Sequence, residues 1–276
     1  MNIYKPLIGI LSTPYIGKSK NTSFITMKLL NVVRKAGFKP YIIPYNLNKI
    51  EYNKILKNID GIIFPGSQLG NFYHTKEFIQ HYKSQKYLVK KIKEINKYFK
   101  FPILGICHGY QNLVLIENNV FPSKKNVEKY FLNVNAYSAY KTIPKFIDNK
   151  YKKLYNKSRK IIHNNKLGFS RKVINKSKKF NIIALSNDKN NLEFVEIIKH
   201  KKYPFIGFQA HPERNNQELL KPFFDLVKKS NIYKVKNKCH NKSHKKIYIM
   251  HANGNKKLCS SYNMAKKNST KKCCIY

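Results

Sequence analysis

The chain reads as an α/β protein with a mostly parallel sheet covered by helices on both faces. Two observations predict this. Short apolar runs recur along the first half, at "LIGIL", "YIIPY", "GIIFPG" and "FPILGI", and amphipathic stretches of helical period stand between them. Strands that alternate with helices pair in parallel through crossover connections, and such sheets carry their sites beyond the carboxyl ends of the strands.

Each element follows from its own pattern. "LIGIL" (Leu7 to Leu11) is a buried strand, and "TSFITMKLLNVVRKAG" is a helix with cap candidates at Thr22 and Ser23 and a stop at Gly37. "YIIPY" (Tyr41 to Tyr45) is a second strand, which Pro44 ends or places near an edge. "GIIFPG" is the third. A basic amphipathic helix is expected from about Phe78 to Phe99, before the fourth strand, "PILGI". From Phe121 to Phe180 the lysine-rich sequence has weak periodicity, so surface loops are expected there, with at most a helix or a hairpin. Regular structure resumes with "NIIALSN", "LEFVEII" and "FIGFQA", followed by a helix through about Ser230. Beyond Tyr233 the sequence is polar, basic and aperiodic. Two regions are therefore expected, a domain over 1–233 and a flexible tail over 234–276.

Composition narrows the function. The 276 residues are 42% hydrophobic, enough for a substantial core. No signal-peptide pattern opens the chain and no apolar run approaches the roughly 20 residues that span a bilayer, so a cytoplasmic location is expected. Five cysteines, four of them at or beyond residue 239, make no disulfide framework. Lys and Arg number 55 against 13 acidic residues, a formal charge of +42, which steers polyanions toward the surface. Yet only four of the basic residues are arginine, and no nucleic-acid-binding module is present, which argues against specific nucleic-acid recognition. Cys239, His240, His244, His251 and Cys259 in the tail match no zinc spacing, and the terminal "CCIY" is a poor prenylation box because it ends in Tyr276.

Two short motifs carry chemistry. In "GICHG", Cys107 stands where an apolar run turns into an amphipathic one, with Gly105 and Gly109 on either side. An abrupt strand-to-helix turn can hold its central residue strained and exposed above the sheet, and the helix that follows directs its positive end at the thiol, favouring thiolate. The alternative is a small buried core cysteine, the commoner fate of a lone one. In "GFQAHPER", His211 and Glu213 follow a strand and supply a base with a carboxylate to orient it. The alternative here is a helix start, with Pro212 in the first turn and Glu213 meeting the dipole.

Together, "GICHGYQ" and the downstream "HPE" resemble the class I glutamine amidotransferase superfamily, and within it the γ-glutamyl hydrolases. "KPLIGIL", "IDGIIFPGS", "IIHNNKLGFS" and "LSNDKNNLEFVEIIKHKKYPFIGFQAHPER" extend the likeness over roughly residues 5–230. The resemblance implies a three-layer αβα sandwich of flavodoxin-like type. It implies Cys107 as nucleophile, His211 as base and Glu213 as orienting acid, with backbone N–H groups of Gly66 and His108 as oxyanion donors. Gln111, a turn beyond the nucleophile, and His163 would contact substrate. The implied reaction is hydrolysis of a γ-glutamyl amide through a thioester on Cys107, on a small γ-glutamyl substrate or poly-γ-glutamate, with neither metal nor organic cofactor, and a homodimer is admitted. Two alternatives stand beside it: a glutaminase subunit that delivers ammonia to a synthetase partner, and a degraded α/β scaffold that binds polyanions. Three departures bear on these. "PGS" replaces the "PGG" of many relatives at Pro65 to Ser67, Ala210 stands where "QWHPE" has tryptophan, and the His108 side chain is unusual, lining the pocket or pointing to solvent.

Overall fold

The computed structural model describes residues 6–15, 23–67, 75–154, 160–240, 247–250, 256–259 and 272–274. The chain opens with β1 (Leu7–Leu11), a small pair β2 (Thr13–Pro14) and β3 (Ser23–Phe24), then α1 (Met27–Lys35) and β4 (Lys39–Ile43). There follow α2 (Lys49–Leu56), β5 (Gly61–Phe64), α3 (Lys76–Ile95), β6 (Ile103–Ile106) and α4 (His108–Glu117). The middle of the chain forms α5 (Lys124–Tyr130), β7 (Leu132–Thr142), β8 (Lys145–Phe146), α6 (Asn149–Leu154), β9 (Ile161–Gly168) and α7 (Arg171–Ser177). Last come β10 (Phe180–Asn187), β11 (Glu193–His200), β12 (Phe205–Phe208), α8 (Pro212–Asn215), a 3₁₀ turn at Gln217–Leu220 and α9 (Lys221–His240).

Eight strands form the central sheet in the order β4-β1-β5-β6-β12-β11-β10-β8. Pairings from β4 through β12 are parallel and those from β12 to β8 are antiparallel. The expected three-layer, mostly parallel architecture is therefore the one observed. Alternation along the strands builds two cores. Ile63, Leu104, Ile106, Ile206 and Phe208 face one side, packed with Leu29 and Val33 of α1 and Phe223 and Val227 of α9. Ile62, Phe64, Ile103 and Phe205 face the other, against Tyr52 of α2, Tyr82 and Leu88 of α3 and Leu113 of α4. Full burial of each such side chain contributes about 1.5–3 kcal/mol, so each layer is tied to the sheet many times over.

Several expectations shift. The cap of α1 is Thr26, not Ser23, because Ser23 and Phe24 pair with β2 instead; Thr22 lies outside the described residues. The second strand sits two residues earlier than expected, at Lys39–Ile43, and is the edge strand that Pro44 suggested. The basic helix starts at Lys76, where the Thr75 hydroxyl accepts from the Phe78 N–H (3.2 Å), and ends at Ile95. The largest correction is the segment read as loops from Phe121 to Phe180. It holds α5, α6, α7 and a two-stranded antiparallel sheet of β7 and β9. The final helix continues past Ser230 and Tyr233 to His240, and β13 (Ile247–Met250), β14 (Lys256–Cys259) and β15 (Lys272–Cys274) pair with one another within the stretch read as tail. The side chains of Cys239, His240, His244, His251 and Cys259 lie outside the described residues. No described helix is long and apolar enough to cross a membrane.

Candidate active site

The turn from β6 into α4 is as abrupt as its sequence suggests. Cys107, the residue preceding α4, has φ +50° and ψ −109°, a conformation that costs a non-glycine residue about 1–3 kcal/mol. It is held there by its own N–H, which donates to the Phe208 carbonyl of β12 (2.7 Å), and by its carbonyl, which accepts from the Gln111 N–H (3.0 Å). The flanking glycines supply space. A Cβ on Gly105 would lie 2.8 Å from the Tyr110 backbone, and one on Gly109 would collide with the carbonyl of Phe64 on the neighbouring strand. α4 can therefore start directly against the ends of β5 and β6, with its positive end at Cys107.

His211 approaches from the end of β12. Its N–H donates to the Ile162 carbonyl of β9 (2.8 Å), and Asn215 of α8 clasps the same strand by donating to the Lys160 carbonyl (2.7 Å). The imidazole Nδ1 lies 2.8 Å from Oε1 of Glu213, and the ring is also hydrogen-bonded to Cys107. Both readings of "HPE" hold at once, since Pro212 and Glu213 form the first turn of α8 while the carboxylate orients the ring. Burial by itself lowers the His211 pKa, but the charge of Cys107, the hydrogen bonds to Cys107 and Glu213 and the Glu213 charge outweigh it and hold the imidazole up at about 10. An imidazolium at neutral pH is thus available beside the sulfur.

These groups open on a cavity of about 500 Å³ whose walls include Gly66, Ser67, Cys107, His108, Gln111, His211 and Glu213. Gly66 packs so closely that a Cβ there would fall 2.6 Å from Cε1 of His211 and 3.2 Å from Cβ of Cys107. Gln111 lines the wall with its amide nitrogen donating to the Leu167 carbonyl (2.9 Å) and to Gln209 Oε1 (3.3 Å). The His108 ring is buried, not solvent-directed, with Nδ1 2.7 Å from the Ser67 hydroxyl.

His163 is the expected residue that the fold sets back from the cavity. It is fully buried, with Nε2 against Thr142 Oγ1 (2.7 Å) and Glu196 Oε2 (3.3 Å) and Nδ1 against Asn165 Oδ1 (3.2 Å). Burial lowers its pKa, against the opposing pull of Glu196 and Asn165. Asn165, two residues on, reaches the wall in its place, and Glu196 accepts from the Ala210 N–H (2.9 Å), so the network braces the β12 end from behind. Ala210 is itself buried in the core and forms no part of the wall, so the smaller side chain alters packing there and not the pocket. Thr13, Tyr137, Lys166 and Arg214 line the cavity without having been singled out. Arg214 adjoins "HPE" and Lys166 lies within "IIHNNKLGFS", so proximity to the motifs was the available signal; Tyr137 lies in a stretch read as loop. Among the described residues no three or more His, Cys, Asp or Glu side chains converge as a metal site.

Fold and site together define an α/β protein with a cysteine at a strand-to-helix turn, faced by a histidine–carboxylate pair. The glutamine amidotransferase class-I family matches residues 20–229, and the chain belongs to that family. Within it the curated similarity is to γ-glutamyl hydrolases. Gamma-glutamyl hydrolase B of Dictyostelium discoideum is 26% identical over 223 residues, covering 76% of this chain and 63% of that protein. Gamma-glutamyl hydrolase 1 of Arabidopsis thaliana is 24% identical over 235 residues, covering 77% and 64%. The chain thus spans a little under two thirds of the length of these relatives. A crystal structure from Thermoplasma acidophilum, assigned to a GMP synthase, shares the fold with a TM-score of 0.58 at 18% identity, over 86% of this chain and 99% of that one.

Proposed function

We propose that this chain is a cysteine hydrolase of γ-glutamyl amide (isopeptide) bonds, an omega peptidase working through a γ-glutamyl thioester. The observation that carries the reading is the convergence of Cys107, His211 and Glu213 on one cavity, with the His211 ring hydrogen-bonded to both partners. The Cys107 sulfur attacks the γ-carbonyl carbon, forming the C–S bond while the carbonyl electrons move to oxygen. Backbone N–H groups of Gly66 and His108 receive that oxyanion, a type of contact worth roughly 3–4 kcal/mol where such donors have been removed. As the tetrahedral intermediate collapses the C–N bond breaks, and the His211 imidazolium passes its proton to the departing amine. Water then adds to the thioester with His211 as base, the C–S bond breaks, and glutamate leaves. Gln111 contacts the amino-acid end of the substrate, and His163 acts through Asn165. No step draws on a metal or an organic cofactor.

A second reading, a glutaminase that hands ammonia to a synthetase, uses the same atoms and is raised by the Thermoplasma protein. The curated relatives, named as hydrolases, weigh against it. A panel of γ-glutamyl amides, poly-γ-glutamate and free glutamine separates the readings. Amine release from γ-glutamyl amides by the chain alone is expected. Glutamine turnover only beside a partner would replace the hydrolase by the amidotransferase, and no turnover of any member would leave the polyanion-binding scaffold.

A further inference from the structure

The loop after β5 and the start of α4 meet outside the sheet at one side-chain hydrogen bond. Ser67 follows Gly66, and His108 follows Cys107; the Ser67 hydroxyl and His108 Nδ1 lie 2.7 Å apart, a short contact for such a pair. The His108 ring is fixed on its other sides. It packs 5.3 Å from the Phe78 ring and stacks on His81 at 5.8 Å and 17°, and it is 3% exposed. Its Nε2 is buried with no hydrogen-bond partner among the described residues. Burial holds the pKa of His108 down at about 4, so the ring is neutral through the physiological range. A buried unpaired N–H is rarer than an unpaired acceptor, which puts the single ring proton on Nδ1, donating to Ser67 Oγ.

We propose that Ser67 and His108 form a latch that fixes the distance between the two oxyanion-donating backbone segments, Gly66 and His108, and are positioning residues for the acyl transfer. The proposal rests on the hydrolase reading above. The rigid partner is His108, clamped by α3, and Ser67 carries the loop to it. Without the bond, Gly66 would be located only by its own backbone and by contact with His211 and Cys107. Donors that wander from the oxyanion's place lose the advantage of preorganisation while leaving ground-state binding intact.

The experiment compares Ser67→Ala and Ser67→Thr with the parent chain. Ser67→Ala is expected to lower kcat on a γ-glutamyl amide by about 10-fold with KM unchanged, short of the 10²–10³-fold loss on deleting a donor. Ser67→Thr, which keeps a hydroxyl, restores kcat. Alkylation of Cys107 by iodoacetamide, which needs no oxyanion site, stays at the parent rate in both. Amide hydrogen exchange at Gly66 is read in the same variants without substrate, and Ser67→Ala should speed it by about 10-fold. Unchanged exchange at Gly66 would overturn the latch, and faster exchange with unchanged kcat would overturn its role in positioning. A parent chain that turns over no γ-glutamyl amide would refute the hydrolase while exchange still decided the latch.

Discussion

Cys107, His211 and Glu213 should fail unequally when replaced. Cys107→Ala removes the atom that forms the acyl bond and should bring turnover to background. Cys107→Ser should do nearly the same, because a hydroxyl in that place is a far weaker nucleophile. His211→Ala leaves the departing amine without a positioned acid and should be almost as severe. Glu213→Gln should hurt least, since an amide oxygen still accepts from Nδ1 at the 2.8 Å site. The pH profile offers a second check. With the imidazole held at about 10, the proton donor persists well above the usual histidine range, so the alkaline limb of kcat/KM should fall near pH 10. The Glu213 charge and hydrogen bond help raise that pKa while burial opposes it, so Glu213→Gln should move the limb to lower pH. A limb unmoved in Glu213→Gln would contradict the pairing. At this scale the motif residues were legible because "GICHG" and "HPE" are each contiguous. Ser67, Tyr137 and Lys166 were not, since only the fold brings their separate segments to the cavity.

Among elements, the strand-to-helix turn is where sequence and packing are most tightly bound. Gly109 sits in the first turn of α4 against the backbone of β5, with no room for a methyl beside the Phe64 carbonyl. Gly109→Ala should therefore destabilise the fold by about 1–3 kcal/mol, through overpacking, as a lower denaturant midpoint at unchanged m-value. A midpoint equal to that of the parent would show that α4 can shift freely. The same logic explains which elements could be read in advance. β1, β5, β6 and β12 lie in the sheet interior and appear as short apolar runs bounded by turn residues. β7 could not be read so. It is largely solvent-facing, and its register with β9 breaks between Ala136 and Tyr140, where Ser138 and Ala139 take positive φ. A bulged and exposed strand has no steady period of two for a sequence to display.

The whole molecule carries a formal charge of +42, and Lys166 and Arg214 stand in the cavity wall. Such a field captures acidic ligands at long range but is screened over about 8 Å at physiological ionic strength. Poly-γ-glutamate should accordingly be turned over with a kcat/KM that falls more steeply with added salt than that of a γ-glutamyl amide with a neutral leaving group. Equal salt slopes would remove steering from the account. The charge was readable from composition alone, whereas its presence at the cavity depends on how β9 and α8 meet there. The central claim concerns what the assembled chain does, and it is tested most directly by acid-quenching the protein during turnover of a γ-glutamyl amide and measuring the intact mass, followed by peptide mapping. The predicted result is a γ-glutamyl adduct on Cys107 that disappears when substrate is exhausted. Full turnover by the Cys107→Ala chain, with no adduct on the parent, would contradict it.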